Sequence, residues 1–393
     1  MIIIIIALLI IIFYYLLMNN NECNKFEHMD NNGITWSRNT CPYSMNPTLK
    51  NELLNNNITK SSNNFDLYFP CAYDEINKEI EMMPKIDGVK YFIIEGGDVM
   101  VAKEWLWQTV VGYYGIENAI KYLPRSYMLA FPLDVERLKL EYDVNKIYIM
   151  KKNVQRQEGL KITNNKDEII NGYKSKYILV QELLQDPYLI SGRKTNMRLY
   201  LLIICYMGKV SAFVYNDGFM YYTKDLFVKN SLEDGPNITT GYIDRQVYVD
   251  NPLTLNDLRT YLDTNRPNMT TAEKNVISQG YKLSDYYFNK IYVMLRDVLM
   301  AFVGKICSGK NFTDKQFTYQ LFGVDVAMSD SLNPTIMEIN KGPDMGSKDE
   351  RDGAVKTGVV YNTLKLIGAV KADEDEPNNF IKLLEENNKV SDE

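Results

Sequence analysis

The sequence predicts an α+β protein, and three observations carry that reading. Arg198–Met207 and Val210–Tyr215 are apolar-rich runs either side of Gly208-Lys209, the pattern of a β-hairpin closed by a two-residue turn. Phe322–Met328 and Thr335–Pro343 flank the polar loop Ser329–Pro334, which predicts a second hairpin. Between the two, Leu283–Ile306 places Tyr287, Ile291, Leu295, Val298 and Phe302 at helical spacing, the apolar stripe of a long core helix. Hairpins mixed with helices, rather than strictly alternating strand–helix units, define the class.

The remaining elements follow in chain order. Ile2–Met18 is an uncharged apolar run, expected as a hydrophobic N-terminal helix near the lower length limit for crossing a bilayer. It lacks a basic leader and a small-residue cleavage site, so the expectation is an uncleaved membrane anchor rather than a signal peptide. The bland alternative is a low-complexity isoleucine run. Residues 19–65 are rich in Asn, Ser and Thr and are expected as a polar linker with little core. An N-terminal lobe over 66–137 carries a helix from Lys103 to Tyr122, weakened by Gly112 and Gly115 and ending before Leu123-Pro124. A central lobe over 138–190 carries strands at Ile147–Met150 and Tyr177–Val180, and a C-terminal lobe covers 191–371. Residues 372–393 hold eight acidic side chains against two lysines, which accounts for the whole net charge of −6, and are expected to be disordered or a short surface helix.

Composition narrows the chemistry. The chain has 393 residues, 46% of them hydrophobic, enough for a sizeable core in two or three lobes. His28 is its single histidine, which argues against a catalytic triad, a histidine general base or histidine-ligated zinc. The five cysteines (Cys23, Cys41, Cys71, Cys205, Cys307) are odd in number and form no C-x-x-C pair, which argues against a disulfide framework and a zinc knuckle and suits a reducing compartment. With the acidic tail set aside the body is about neutral, a poor match to a nucleic-acid partner.

Four segments can carry chemistry. In the second hairpin Glu338 and Asn340 are two apart and share a strand face, and folding about Ser331–Leu332 sets Asp325 opposite Glu338. Two carboxylates and an amide at one spot suit a hard cation, and few oxygen ligands completed by phosphate is how Mg²⁺ is held beside ATP. Lys194, Asn196 and Arg198 likewise share a face, two cations suited to an anion such as phosphate, with Met197 and Leu199 pointing into the core. The basic run Lys151–Leu160 follows a buried strand and could fold over a nucleotide's phosphates, although a solvated hairpin is the commoner outcome for such a run. Gln181-Glu182-Leu183 leaves an apolar strand where backbone groups could meet an adenine edge.

Taken in chain order, as basic loop, strand exit, Lys-x-Asn-x-Arg and then Asp…Glu-x-Asn, the segments resemble the tubulin–tyrosine ligase-like family of the ATP-grasp superfamily. The resemblance runs from about Tyr91 to Gly346 and rests on Leu123-Pro-Arg-Ser-Tyr127, Ile149-Met-Lys151, the run from Gln181 to Arg198, and Phe322 to Pro343. It implies an ATP-grasp fold with N-terminal, central and C-terminal lobes. It also implies an ATP- and Mg²⁺-dependent ligase that adds a free amino acid to a protein tail, in that family usually tubulin, through an acyl phosphate. Carried over by position, Asp325, Glu338 and Asn340 would coordinate Mg²⁺. Lys151 and Lys194 would hold ATP phosphates, with Lys103 as a third contact. Gln181, Glu182 and Leu183 would line the adenine site, and Thr239-Thr240 would touch the ribose. Arg198 would steady the transferred phosphate or the acceptor carboxylate, so the catalytic set is Arg198, Lys194 and Glu338. Together with the N-terminal anchor, this places the catalytic body at a membrane, on the cytoplasmic side.

The chain departs from that family's pattern in four places. Asn196 stands where the family has Asp between the Lys and Arg, and Tyr221 stands for an Arg. Thr240 stands for an Asn, and the loop after Lys151 is one residue short, with Gln157 for a glycine. The alternatives these leave open are an impaired ATP-grasp module that binds a protein tail or nucleotide, and a ligase acting on a non-tubulin peptide.

Overall fold

Two sheets form the frame, and the central strands of the larger one are buried on both faces along most of their length. The computed structural model describes residues 33–38, 41–71, 76–153, 159–241, 243–371 and 376–388. Its strands are β1 (Thr35–Ser37), β2 (Thr59–Lys60), β3 (Leu67–Tyr68), β4 (Lys90–Tyr91), β5 (Ser126–Met128), β6 (Tyr148–Lys152), β7 (Leu160–Thr163), β8 (Tyr177–Glu182), β9 (Leu189–Ile190), β10 (Arg193–Tyr206), β11 (Lys209–Thr223), β12 (Thr239–Thr240), β13 (Phe317–Met328), β14 (Pro334–Lys341) and β15 (Phe380–Asn387). A four-stranded antiparallel sheet has the order β5-β8-β6-β7. The larger sheet runs β12-β11-β10-β13-β4-β3-β1-β2, with β14 paired to β13, β15 to β11 and β9 to β10. Its β1–β4 end, including the β4–β13 junction, is parallel, and its remaining pairs are antiparallel. The architecture is therefore mixed α/β.

The β10–β11 hairpin forms where expected, but its turn is Met207-Gly208, one residue earlier than Gly208-Lys209. Both turn residues have positive φ, 52° and 68°, the backbone that lets a two-residue turn follow the strand twist. The long helix covers Leu283–Met300, and all five residues of its expected stripe are buried, Phe302 lying just past its end. The helix expected from Lys103 to Tyr122 breaks at Gly115, whose φ of 74° ends Lys103–Tyr114 and starts the short turn Ile116–Ala119.

Four other expectations are corrected. Within the segment expected as a linker, Pro47–Asn55 is a helix capped by Asn46, and Leu53 and Ile58 are in the main core. Within the acidic tail, Phe380–Asn387 is a strand along β11, because Phe380 and Leu384 have an apolar face to bury. Cys41 and Cys71 are disulfide-bonded, as are Cys205 and Cys307, with Cα atoms 5.3 and 5.8 Å apart. Tertiary proximity pairs these thiols across 30 and 102 residues, a relation that sequence spacing does not reveal. The membrane assignment is withdrawn: among the described residues no helix is long and apolar enough to cross a membrane. The proposed anchor at Ile2–Met18 lies outside the described residues, as do Cys23, His28 and residues 154–158 of the basic loop.

Between β10 and β11, the register shifts after Leu199, which faces Gly218. A Cβ on Gly218 would lie 2.2 Å from the Arg198 carbonyl oxygen, so only glycine allows the two strands this close. Gly218→Ala is expected to force β11 away from Arg198 and to cost about 1–3 kcal/mol. A urea titration should show a lower midpoint at unchanged slope; an unchanged midpoint would contradict this packing.

Candidate active site

The hairpin register brings the oxygen ligands together. Asp325 pairs with Glu338 and Gly323 with Asn340, as the spacing predicts, and Met337 is then an extra residue that bulges β14. On its other side β13 sets Asp325 against Arg198 of β10. The guanidinium grips the carboxylate with two hydrogen bonds, Nε to Oδ1 at 2.6 Å and Nη2 to Oδ2 at 3.0 Å. Asn340 Nδ2 approaches the same Oδ2 at 3.5 Å, and Lys103 Nζ is 4.0 Å from Glu338 Oε2.

This row of charges shapes the local titration. Burial opposes the charge on Arg198, but the Asp325 carboxylate outweighs it and holds the guanidinium more firmly protonated than usual. Burial pushes the Asp325 carboxyl above its ordinary range, with Arg198 pulling it back and the Glu338 carboxylate adding to the rise. Gly323, two residues before Asp325, is what lets the row close up. A Cβ there would meet Arg198 Cδ and Pro343 Cβ, both at 3.2 Å.

The small sheet faces this row across a cleft. Lys151 of β6 pairs with Leu179 of β8, and Ile149 with Gln181, so these four side chains share one face. Lys151 and Gln181 line the cleft with Lys103, Trp107, Ser126 and Glu338. Gln181 Nε2 donates to Ser126 Oγ at 2.8 Å, while its Oε1 is buried without a protein partner. Asn196 Oδ1 is likewise buried and unpartnered. Lys194 is buried rather than sited on an open charged face, and its amine lies 3.4 Å from the Leu184 carbonyl. Burial brings the Lys151 amine down to about 8, with Glu338 pulling it up and Lys103 pushing it further down. Lys194 is brought down to about 8 by burial and then by Lys151.

The other expected site residues have distinct places. The Glu182 side chain is on the opposite strand face from Gln181, and its carboxylate pairs with Lys146 at 2.8 Å. The backbone N–H groups of Glu182 and Leu183 donate to the Arg125 and Ile147 carbonyls, so these two amides are already used within the protein. Thr239 and Thr240 form β12 beside Thr223 and Tyr222 of β11, two strands from the β10 strand that carries Asn196. Tyr221 is directly opposite Asn196, and the Arg198 guanidinium lies 5.2 Å from the centre of its ring.

Sequence reasoning missed three contributors: Ser126 as the partner of Gln181, Pro343 as the roof over Gly323, and Tyr221 as a stacking surface. A glycine inside the strand Phe322-Gly323-Val324 was the available signal for the second, since such glycines mark close approach. Among the described residues no group of three or more His, Cys, Asp or Glu side chains is arranged to hold a metal by itself. The hairpin set is two carboxylates and an amide. Ionised carboxylate oxygens keep lone pairs beyond those that Arg198 uses, so the set fits a cation whose shell is completed from outside the protein.

The hairpin's paired carboxylates thus face Lys151 of the small sheet across the cleft, while Lys194 is buried on β10 of their own larger sheet. A model of the tubulin-tyrosine ligase family matches residues 96–378, so the chain belongs to that family. It is 23% identical over 270 residues to a tubulin polyglutamylase of Xenopus tropicalis, a match covering 64% of this chain and 28% of that protein. A protein of Bos taurus described as a probable tubulin polyglutamylase is 22% identical over 217 residues, covering 55% and 44%. A tubulin polyglutamylase of Homo sapiens is 21% identical over 273 residues, covering 64% and 29%. The matched part of the chain thus spans less than half the length of each of these relatives.

The buried lysines give a test that needs no ligand. The folded-state pKa of Lys194 is depressed to about 8 against an unfolded value near 10.4. Below about pH 8 both states are protonated and the fold carries the full cost of a buried ammonium. Between about pH 8 and 10.4 the unfolded state binds more protons, so stability rises with pH. Lys194→Met is therefore expected to stabilise the ligand-free protein at pH 7 by on the order of 1–3 kcal/mol, with the gain fading above about pH 10. A urea-unfolding series against pH checks it; a gain independent of pH would mean that the amine is not desolvated.

Proposed function

We propose that this protein is an ATP- and Mg²⁺-dependent ligase with an ATP-grasp site that joins an amino acid to a carboxylate on a protein acceptor. The observation that carries the proposal is the convergence of Asp325, Glu338 and Asn340 with Arg198 on one side and the buried Lys151–Lys194 pair on the other. The family's curated relatives support the same reading, and tubulin is the first acceptor to test.

In this reading the nucleotide's phosphates are bound by Lys151 and Lys194, whose buried ammonium groups gain most from an anion beside them. Lys103 adds a third cation. Gln181 meets the base with the amide oxygen that has no protein partner, and Thr239–Thr240 flank the sugar. Asp325, Glu338 and Asn340 would hold the metal, which supplies charge neutralisation on the phosphates when bound. Arg198 steadies the transferred phosphoryl group or the acceptor carboxylate from its position against Asp325. A carboxylate oxygen of the acceptor takes the γ-phosphoryl group, releasing ADP and giving an acyl phosphate. The amino group of the second substrate then attacks that carbonyl, phosphate leaves with the C–O bond electrons, and the amine loses a proton to solvent. Catalysis is by positioning and charge stabilisation, which phosphoryl transfer chiefly requires.

Two measurements test this. Incubating the protein with Mg-ATP, tubulin and isotopically labelled amino acids should give a mass increment on tubulin tails that Glu338→Gln abolishes. An increment unchanged in the variant would remove Glu338 from the machinery. Separately, Mg-ATP should raise the melting temperature by several degrees, and Glu338→Gln should remove most of that rise. A full shift in the variant would place the metal elsewhere.

A further inference from the structure

Beside the proposed catalytic row lies a cavity of about 200 Å³, lined by Phe69, Phe92, Tyr319, Leu321, Pro343 and Leu364 among others. Tyr319 and Leu321 precede Gly323 and Asp325 at spacing two along β13, so they share the sheet face that carries the row. Pro343 joins the two places. It lines the cavity, and its Cβ is 3.2 Å from where a Gly323 Cβ would stand, a point also 3.3 Å from Arg198 Nε. Pro343 therefore borders both the cavity and the space beside the guanidinium.

The lining decides what can enter. A cavity of about 150 Å³ lined by aliphatic and aromatic groups binds a benzene ring, so this one has room for one aromatic or large aliphatic side chain. Arg38 is the charged residue among the described lining groups, and its guanidinium donates to the carbonyls of Pro70, Tyr43 and Cys71. A glutamate side chain would lose its hydration there beside a guanidinium that already donates to three carbonyls, with Asn46 and Thr363 as the uncharged polar side chains of the lining. An extended chain advances about 3.3 Å per residue, so an acceptor crossing Pro343 reaches the cavity about two to four residues from a carboxylate at Arg198.

We propose that this cavity is an acceptor subsite: it takes an apolar side chain of the protein segment that is modified, a few residues from the reacting carboxylate. The proposal rests on the ligase reading of the neighbouring row. It makes the acceptor an acidic segment interrupted by an aromatic or large aliphatic residue, rather than an unbroken acidic run.

The test uses the full chain and fluorescein-labelled acidic peptides, each with a central glutamate and one Phe placed two, three or four residues to either side. Matched peptides carry Ser in place of Phe. Fluorescence anisotropy should show the best Phe peptide binding at least about tenfold tighter than its Ser counterpart, as burial of an aromatic side chain implies. Leu364→Trp, which fills the cavity, should abolish that preference. Val360→Phe fills it from the next turn of the helix, and an intact Mg-ATP thermal shift shows that either variant is folded. Equal binding of every Phe and Ser pair by the unmodified protein overturns the proposal, and so does a Phe preference that survives both filled variants. A Phe preference lost on filling, but without any turnover, supports the subsite and counts only against the ligase chemistry.

Discussion

The site depends on one ion pair held across the middle of a sheet. Arg198 and Asp325 meet through two hydrogen bonds because β10 and β13 pair in one register. A slip of one residue would turn either side chain to the other face and leave a buried charge alone, which costs several kcal/mol. The cost of breaking the pair therefore specifies the register, and the register specifies everything beside it. Because β14 pairs on the far side of β13, fixing Asp325 also fixes Glu338 and Asn340. Gly218 and Gly323 contribute by having no side chain where neighbouring strands come closest.

The charges that line the cleft do not balance when every group is ionised. Asp325 and Glu338 supply two negative charges, while Arg198, Lys103, Lys151 and Lys194 supply four positive ones when protonated. Arg198 is matched by Asp325, and Lys103 is drawn to Glu338. Lys151 and Lys194 are buried beside one another, and each is pushed toward the neutral amine. Two desolvated ammonium groups are a poor way to stabilise a protein and a good way to bind a phosphate chain, since the anion restores what burial removed.

How much of this was legible in the sequence differs from element to element, for physical reasons. Counting across the polar loop sets Asp325 opposite Glu338, but the turn centres on Ser331 and that pairing is restored by a bulge at Met337 that no local pattern shows. The stripe of Leu283–Met300 was legible because one face is buried along its whole length. The β10–β11 turn was misplaced by one residue because Met207 accepts a positive φ that composition does not announce. Burial of Lys194 was hidden, since a lysine on a strand looks the same whether its amine meets water or a carbonyl. The Phe380–Asn387 strand was hidden by the acidic residues around it, although its partner edge on β11 supplies an apolar face and open backbone groups. The disulfides and the Ser126–Gln181 contact join distant segments, and no local pattern encodes them.

The two departures from the family pattern near Arg198 turn out to be one. Asn196 and Tyr221 are cross-strand partners in the β10–β11 hairpin, so the position expected to hold an aspartate directly faces the position expected to hold an arginine. Replacing both removes one charge of each sign and leaves the balance at the row unchanged. Had only one been replaced, a buried charge would have lost its nearest opposite, a change that costs a few kcal/mol. What the exchange alters is shape and polarity. Tyr221 offers Arg198 a ring face in place of a second guanidinium, and Asn196 keeps an oxygen that still seeks a donor. The difference therefore falls on what is held next to Arg198, in addition to the departures at Thr240 and in the loop after Lys151.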